Sequence, residues 1–204
     1  MTENPIPDPI ERMFTGNEHF RKSDFLPNLP YWRQILLGQK PKILWIGCSD
    51  SRVNPERITG AAPGELFVQR NIGNIVPLQD WNFTTVLEYA LTNLQVEHII
   101  ICGHSDCGAI KALDHEDSGD NYISIWLNNA REAQERVDAR IKKPETIEET
   151  MERSRQIGLE NVRLQMEHLR THPLIKRTLR IREIHFHGLY FDLMTGKLTR
   201  VDEH

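Results

Sequence analysis

The sequence predicts an α/β fold: a mostly parallel central sheet flanked by helices, with an N-terminal helical arm. Three observations carry that prediction. Short apolar runs recur along the chain, at Lys42–Gly47, Glu65–Arg70 and His98–Cys102. Segments of helical period separate them, the alternation expected of crossover connections in a parallel sheet. Two of the runs end in clusters of metal-capable and charged side chains, and in such sheets ligands gather at the carboxyl ends of the strands.

The elements follow in order. Asp8 is placed to cap a helix running to Phe20, with Ile10, Met13, Phe14 and Phe20 as its apolar members. Leu29–Leu37 reads as a second short helix ended by Gly38. The domain division is then an arm over 1–38, expected to pack on a partner subunit, and a single α/β domain over 39–204. Strand Lys42–Gly47 precedes Cys48-Ser49-Asp50-Ser51-Arg52, and Asn54-Pro55 opens a short helix. Strand Glu65–Arg70 leads into the polar turn Asn71-Ile72-Gly73-Asn74. Asn82–Asn93 has an inner side of Phe83, Val86, Leu87, Ala90 and Leu91. Strand His98–Cys102 is followed by a helix from Asp106 to Leu113. Asp114–Asp120 reads as a solvated acidic loop, with a proton relay through His115 as the sharper alternative. Helices over Ile123–Ile141 and Thr146–Arg170 are split at Lys143-Pro144, and Pro173 ends the second. Ile181–Gly188 alternates with period two, and Leu189–Leu193 and Lys197–Val201 make a terminal hairpin around Thr195-Gly196.

Composition narrows the function. The chain has 204 residues, 39% hydrophobic and 26% charged, with net charge −4 and no basic stripe. That argues against nucleic acid as a partner. No apolar run approaches the roughly 18 residues of a membrane span. Met1–Asp8 lacks both a secretory core and an Arg-rich transit pattern, so the expected location is cytoplasmic, or organellar if a leader has been trimmed. Three cysteines do not make a disulfide scaffold. Cys48 and Cys107 are expected on a metal and Cys102 in the core.

Cys48 and His104-x-x-Cys107 lie 56 positions apart but both leave strand ends. Two thiolates and an imidazole suit one zinc with a coordination position to spare, filled by water or by Asp50. Water there would ionise to a hydroxide nucleophile. Two thiolate ligands already offset the zinc charge, so activity should rise toward alkaline pH. An ionised Asp50 only accepts hydrogen bonds, and Arg52 is its natural bidentate partner. Should that pair break, Asp50 could close the metal site. Each element alone has a plainer reading: Cys48 as a core thiol, His98, His168, His172, His185 and His187 as structural or surface residues, and Gly103–Gly108 as no dinucleotide fingerprint.

Cys48-Ser-Asp-Ser-Arg52, Gly64-Glu-Leu-Phe-Val68, Arg70-Asn-Ile-Gly-Asn74 and Gly103-His-Ser-Asp-Cys-Gly108 together resemble the β-class carbonic anhydrases. The match is dense over Gln39–Ala112 and returns near His187-Gly188. The resemblance implies reversible hydration of carbon dioxide to bicarbonate and a proton. It implies one Zn2+ per subunit on Cys48, His104 and Cys107, with Asp50 as a ligand only in a closed state, and Asp50 and Arg52 as the orienting pair. It implies a homodimer or homotetramer, and substrate contacts from Gln39, Phe67 and Tyr89. Some members carry a bicarbonate effector pocket, which transfers here to Trp45, Val53, Arg70 and Tyr190. Competing readings are a carbon disulfide hydrolase on the same scaffold and a silent structural zinc protein. A thiol redox protein is disfavoured by the lack of Cys-x-x-Cys.

Overall fold

A computed structural model describes residues 8–114 and 122–202, and divides the chain into units of 1–39 and 40–204. In the first unit α1 (Pro9–Phe20) is capped by Asp8, whose Oδ1 accepts from the Ile10 N–H at 2.7 Å. A π-helical turn at Arg21–Phe25 leads to α2 (Leu29–Ile35). Trp32 packs edge-on to Phe20 and against Phe25, but Ile10, Met13 and Phe14 are all more than half exposed.

The second unit is built on five strands: β1 (Ile43–Cys48), β2 (Leu66–Asn71), β3 (His98–His104), β4 (His185–Phe191) and β5 (Leu198–Arg200). Their order is β2-β1-β3-β4-β5, parallel throughout except for β5. The chain steps from β1 to β2 on one side, then crosses to β3 on the other. The β1–β3 boundary is therefore a topological switch point, where loops leave in opposite directions and open a crevice.

Side chains on β1 alternate between two faces. Leu44 and Ile46 join the core formed with α4 (Trp81–Thr92) and α7 (Ile147–Thr171), while Trp45 packs with Val53, Cys102 and Phe191 on the other side. The helices are delimited by local chemistry. Asp80 accepts from the Phe83 N–H at 2.6 Å to start α4, and Thr146 with Glu149 forms a capping box on α7. α7 lies close on β3 because Gly103 carries no side chain; a Cβ there would stand 2.8 Å from Val162 Cγ2. α6 (Tyr122–Asp138) packs on α7 and on α5 (Gly108–Ala112), and α3 (Pro55–Thr59) follows the Cys48 loop.

Two expectations are corrected. The fourth strand begins at His185, not Ile181, because the N–H groups of Ile181 and Arg182 turn back onto the Thr178 carbonyl. The Arg182 guanidinium then donates to the carbonyls of Leu91 and Val96, so 181–184 is a fastened connector. Pro173 does not merely stop α7: as the first residue it opens α8 (Pro173–Leu179), where its missing N–H costs nothing. His115 and most of the acidic loop lie outside the described residues.

Candidate metal centre and active site

β1 delivers Cys48 and β3 delivers His104 at neighbouring carboxyl ends, and Cys107 follows at the N-terminus of α5. Cys48 Sγ and Cys107 Sγ are 3.9 Å apart. Among the described residues, these two sulfurs and a His104 ring nitrogen form the one cluster of three metal-capable atoms, all within 4.8 Å of one another. Two thiolates on a tetrahedral zinc would stand about 3.8 Å apart at the usual Zn–S distance of about 2.3 Å. The His104 tautomer is set locally. Nδ1 faces the Ser105 carbonyl at 2.8 Å, and a carbonyl can only accept, so Nδ1 carries the proton. Nε2 is left with its lone pair turned inward, buried and without a hydrogen-bond partner. Such an orphaned acceptor beside two sulfurs fits a cation.

The electrostatics agree. Cys48 is lowered to about 4, chiefly by the hydrogen bond from Cys107, against burial, and with help from His104 and the N–H groups of Gly73 and Asp50. The resulting charge, together with burial, pushes the Cys107 thiol up. Burial disfavours a charged His104, but the Cys48 sulfur, the Ser105 carbonyl and Asp50 outweigh it and raise its pKa. One buried negative charge therefore forms readily and the second is resisted until a cation compensates both. Ile75, Ala109, Ile110, Leu127 and Ile157 surround the sulfurs with apolar packing.

Beside this cluster Asp50 is held off. Arg52 Nε and Nη2 donate to Asp50 Oδ1 and Oδ2 at 2.9 and 2.7 Å, and the Arg52 N–H donates to Oδ1 at 3.0 Å. The guanidinium keeps the carboxyl well below the usual carboxylate range. Asp50 Oδ2 lies 3.9 Å from His104 Nε2. An obligate hydrogen-bond acceptor thus stands beside the nitrogen of a two-sulfur, one-nitrogen cluster.

Comparison with known proteins places this arrangement. The family model for carbonic anhydrase matches residues 43–198. A carbonic anhydrase of Pseudomonas aeruginosa is 36% identical over 194 residues, covering 92% of this chain and 85% of the relative. The chain belongs to the β-carbonic anhydrase family. A mitochondrial β-carbonic anhydrase of Arabidopsis thaliana is 33% identical, with 89% of this chain and 63% of that protein covered. Among solved structures, one of two tetrameric β-carbonic anhydrases from Sordaria macrospora has a TM-score of 0.84 at 32% identity, covering 94% and 96% of the two chains. The Coccomyxa enzyme in complex with acetazolamide gives 0.87 at 27% identity, covering 96% and 87%.

For a carbonic anhydrase, the remaining expected residues divide sharply. Phe67 and Tyr89 meet with ring centroids 5.8 Å apart. Phe67 pairs with Leu44, however, four residues upstream of Cys48, or roughly 13 Å along the strand. They do not wall this chain's own sulfur cluster. Gln39 belongs to the first unit. Trp45, Val53 and Arg70 share the other face of the sheet, since Trp45 and Gly47 pair with Val68 and Arg70. Tyr190 does not join them: alternation along β4 turns it to the α7 side, against Gly103, Gly158 and Val162. Phe191, one residue on, is the ring that packs with Trp45. Arg70 lies beneath the Cys48 loop, donating to the Cys48 and Asp50 carbonyls at 2.8 and 2.6 Å. Cys102 sits in the core as expected, its thiol pushed up to about 12 by burial.

Sequence reasoning assigned no role to two neighbours of the ligands. Ser105 fixes the His104 tautomer through its carbonyl, and its Oγ accepts from the Leu193 N–H at 2.8 Å, fastening the loop to the end of β4. Asp106 accepts from Arg52 Nη1 at 2.8 Å. The available signal was position: both lie between His104 and Cys107, where any polar side chain is near the cluster.

Proposed function

We propose that this chain catalyses the reversible hydration of carbon dioxide, with one zinc per subunit held by Cys48 Sγ, His104 Nε2 and Cys107 Sγ. The observation that carries the reading is the buried, partnerless Nε2 beside two sulfurs, flanked by an Asp50 carboxylate that Arg52 keeps ionised and off the cluster. Zinc, when bound, supplies the charge that lets a water ionise near neutral pH. The water oxygen bonds to the carbon of carbon dioxide, one C=O electron pair moves onto oxygen, and the proton leaves to solvent. Asp50 orients the nucleophile. It has no proton to give, so it accepts the remaining O–H and turns a lone pair to the substrate. Loss of the Arg52 grip would free Asp50 to close the site.

The working molecule is proposed to be a homodimer or homotetramer. The exposed Ile10, Met13 and Phe14 on α1 favour a partner subunit as their cover. If Phe67 and Tyr89 wall a substrate pocket, their distance from Cys48 makes it the pocket of a second copy. Trp45, Val53 and Arg70 are proposed as a bicarbonate effector pocket. Trp45 Nε1 is buried without a partner, and only glycine at 47 leaves it room, since a Cβ there would stand 2.6 Å away. Bicarbonate drawing on Arg70 would loosen the carbonyls of Cys48 and Asp50.

The test is stopped-flow hydration at about pH 7 and pH 8.5 on protein of measured zinc content. Turnover at both, faster at the higher pH, supports the reading. Stoichiometric zinc without turnover sinks it, and carbon disulfide becomes the next substrate tried.

A further inference from the structure

Arg52 does more than hold Asp50. Its Nε and one Nη2 hydrogen take the Asp50 carboxylate. Nη1 donates to Asp106 Oδ2 at 2.8 Å, and Nη2 also donates to the Asp106 backbone carbonyl at 3.1 Å. The other Asp106 oxygen is paired with the Lys111 ammonium on α5. Asp50 and Arg52 belong to the loop that carries Cys48. Asp106 lies between His104 and Cys107 on the loop that carries the other two ligand atoms. The guanidinium therefore spans the two ligand-bearing loops and is clamped along both edges.

We infer that Asp106 is a positioning residue for the reaction, acting through Arg52 to fix the plane that grips Asp50 and to tie the two ligand loops together. This rests on the functional reading above. The physical case is one of freedom removed. Arg52 is long and its side chain is 49% exposed, so the Asp50 pair alone would leave the outer edge of the fork to solvent. A planar guanidinium held along both edges has fewer ways to turn than one held along a single edge, and its preorganised fork loses little freedom per hydrogen bond made. Asp106 supplies the second edge from the facing loop. Its backbone is turned for the purpose, with φ at +57°, a left-handed conformation that Asp and Asn tolerate better than other side chains. Polar partners of metal-ligand assemblies carry about 10–100-fold in metal affinity or activity. The exposed position of this one argues for the lower end.

The experiment uses the zinc-loaded enzyme and two readouts. D106N keeps side-chain size and the tolerated backbone conformation, so the fold should persist, and circular dichroism checks it. Zinc release to an excess of a colorimetric chelator should quicken by about tenfold, and kcat for hydration should fall by a similar factor. In an R52Q background the same substitution should add nothing to either readout, because the clamp is already open. Unchanged zinc release and kcat in D106N would overturn the inference. So would a D106N effect of full size in the R52Q background, which would give Asp106 a role independent of Arg52. Wild-type protein that holds zinc but does not hydrate carbon dioxide would sink the functional reading while leaving the zinc-release comparison to decide the clamp.

Discussion

Two trios of metal-capable side chains span adjacent strands, at opposite ends of the sheet. At the carboxyl ends stand Cys48, His104 and Cys107; at the amino ends stand His98, His185 and His187. Each has three donor side chains, but among the described residues only the first brings three donor atoms within 4.8 Å of one another, and their partners differ as well. His98 Nδ1 meets His187 Nε2 at 3.1 Å, and His185 stacks on His98 with ring centroids 5.1 Å apart. One imidazole of that pair satisfies the other, and His185 is half exposed beside Glu183. The first trio is buried, its Cys48 thiol is held below its ordinary range, and its His104 Nε2 lacks a hydrogen-bond partner. A buried lone pair without a partner is the costly state that a metal relieves; a histidine pair hydrogen-bonded to itself has no such deficit.

The sharpest way to break that contrast is to remove one trio at a time. Cys48→Ala should lower zinc from one per chain to near zero by elemental analysis and take hydration to background. Replacing His98, His185 and His187 together with alanine should leave zinc near one, and loss of zinc there would undo the distinction. Next in size, Asp50→Asn should retain zinc but reduce kcat by about 10–100-fold, because an amide can donate where an acceptor is required. Stripping zinc with a chelator should then lower the melting temperature, since an ion bound only by the folded state adds stability by mass action. An unchanged melting temperature in the zinc-free protein would mean the site does not contribute to folding. On the other face of β1, Trp45→Phe should relieve inhibition by bicarbonate with zinc content intact, and unchanged inhibition would remove the effector pocket.

The smallest effect concerns acid. Burial, and after it the charges of His98, Arg200 and His185, lower the pKa of His187. Above the ordinary histidine value of about 6.5 the ring is neutral in both states and stability is unaffected. Below it the unfolded chain takes up a proton that the folded chain resists, so stability is lost as pH falls. His187→Gln removes that one proton's worth of pH dependence. Urea midpoints measured from pH 8 to pH 5.5 should fall less steeply in the variant, and parallel curves would show that the ring titrates freely.

The first trio was legible in sequence because strand periodicity and ligand chemistry agreed. An apolar run ending in Cys48 and another ending in His104 imply neighbours in a parallel sheet, and the fold needs nothing more to bring 56 residues of separation to contact distance. Asp50 and Arg52 were legible for the same reason, two residues apart on one turn. What was not legible is of a different kind. Ile181 to Ile184 alternate as a strand does, yet Arg182 is spent on carbonyls from another element, a contact that periodicity does not encode. Only the resemblance points to Tyr190, and its face follows from register: one residue's displacement along β4 turns a side chain to the opposite side of the sheet. Phe67 and Tyr89 are expected at a substrate pocket by resemblance alone, and β1–β2 pairing adds what periodicity does not give, their distance from Cys48. Asp106 needed three dimensions, because its partner lies 54 residues back.

β1 places Trp45 and Gly47 on one face and Cys48 on the other, and this parity has a consequence for how such a chain can vary over time. Substitutions at 45 or 47 can alter one face without disturbing the next residue's chemistry, so the two faces can diverge separately under selection. A deletion or insertion of one residue inside the strand has no such freedom. Placed between Trp45 and Cys48, it would turn the indole and the thiol to the same face, so one of the two faces would lose its residue. Length change in descendants of this sequence should therefore be confined to the connections, with the six residues of β1 inherited as a block.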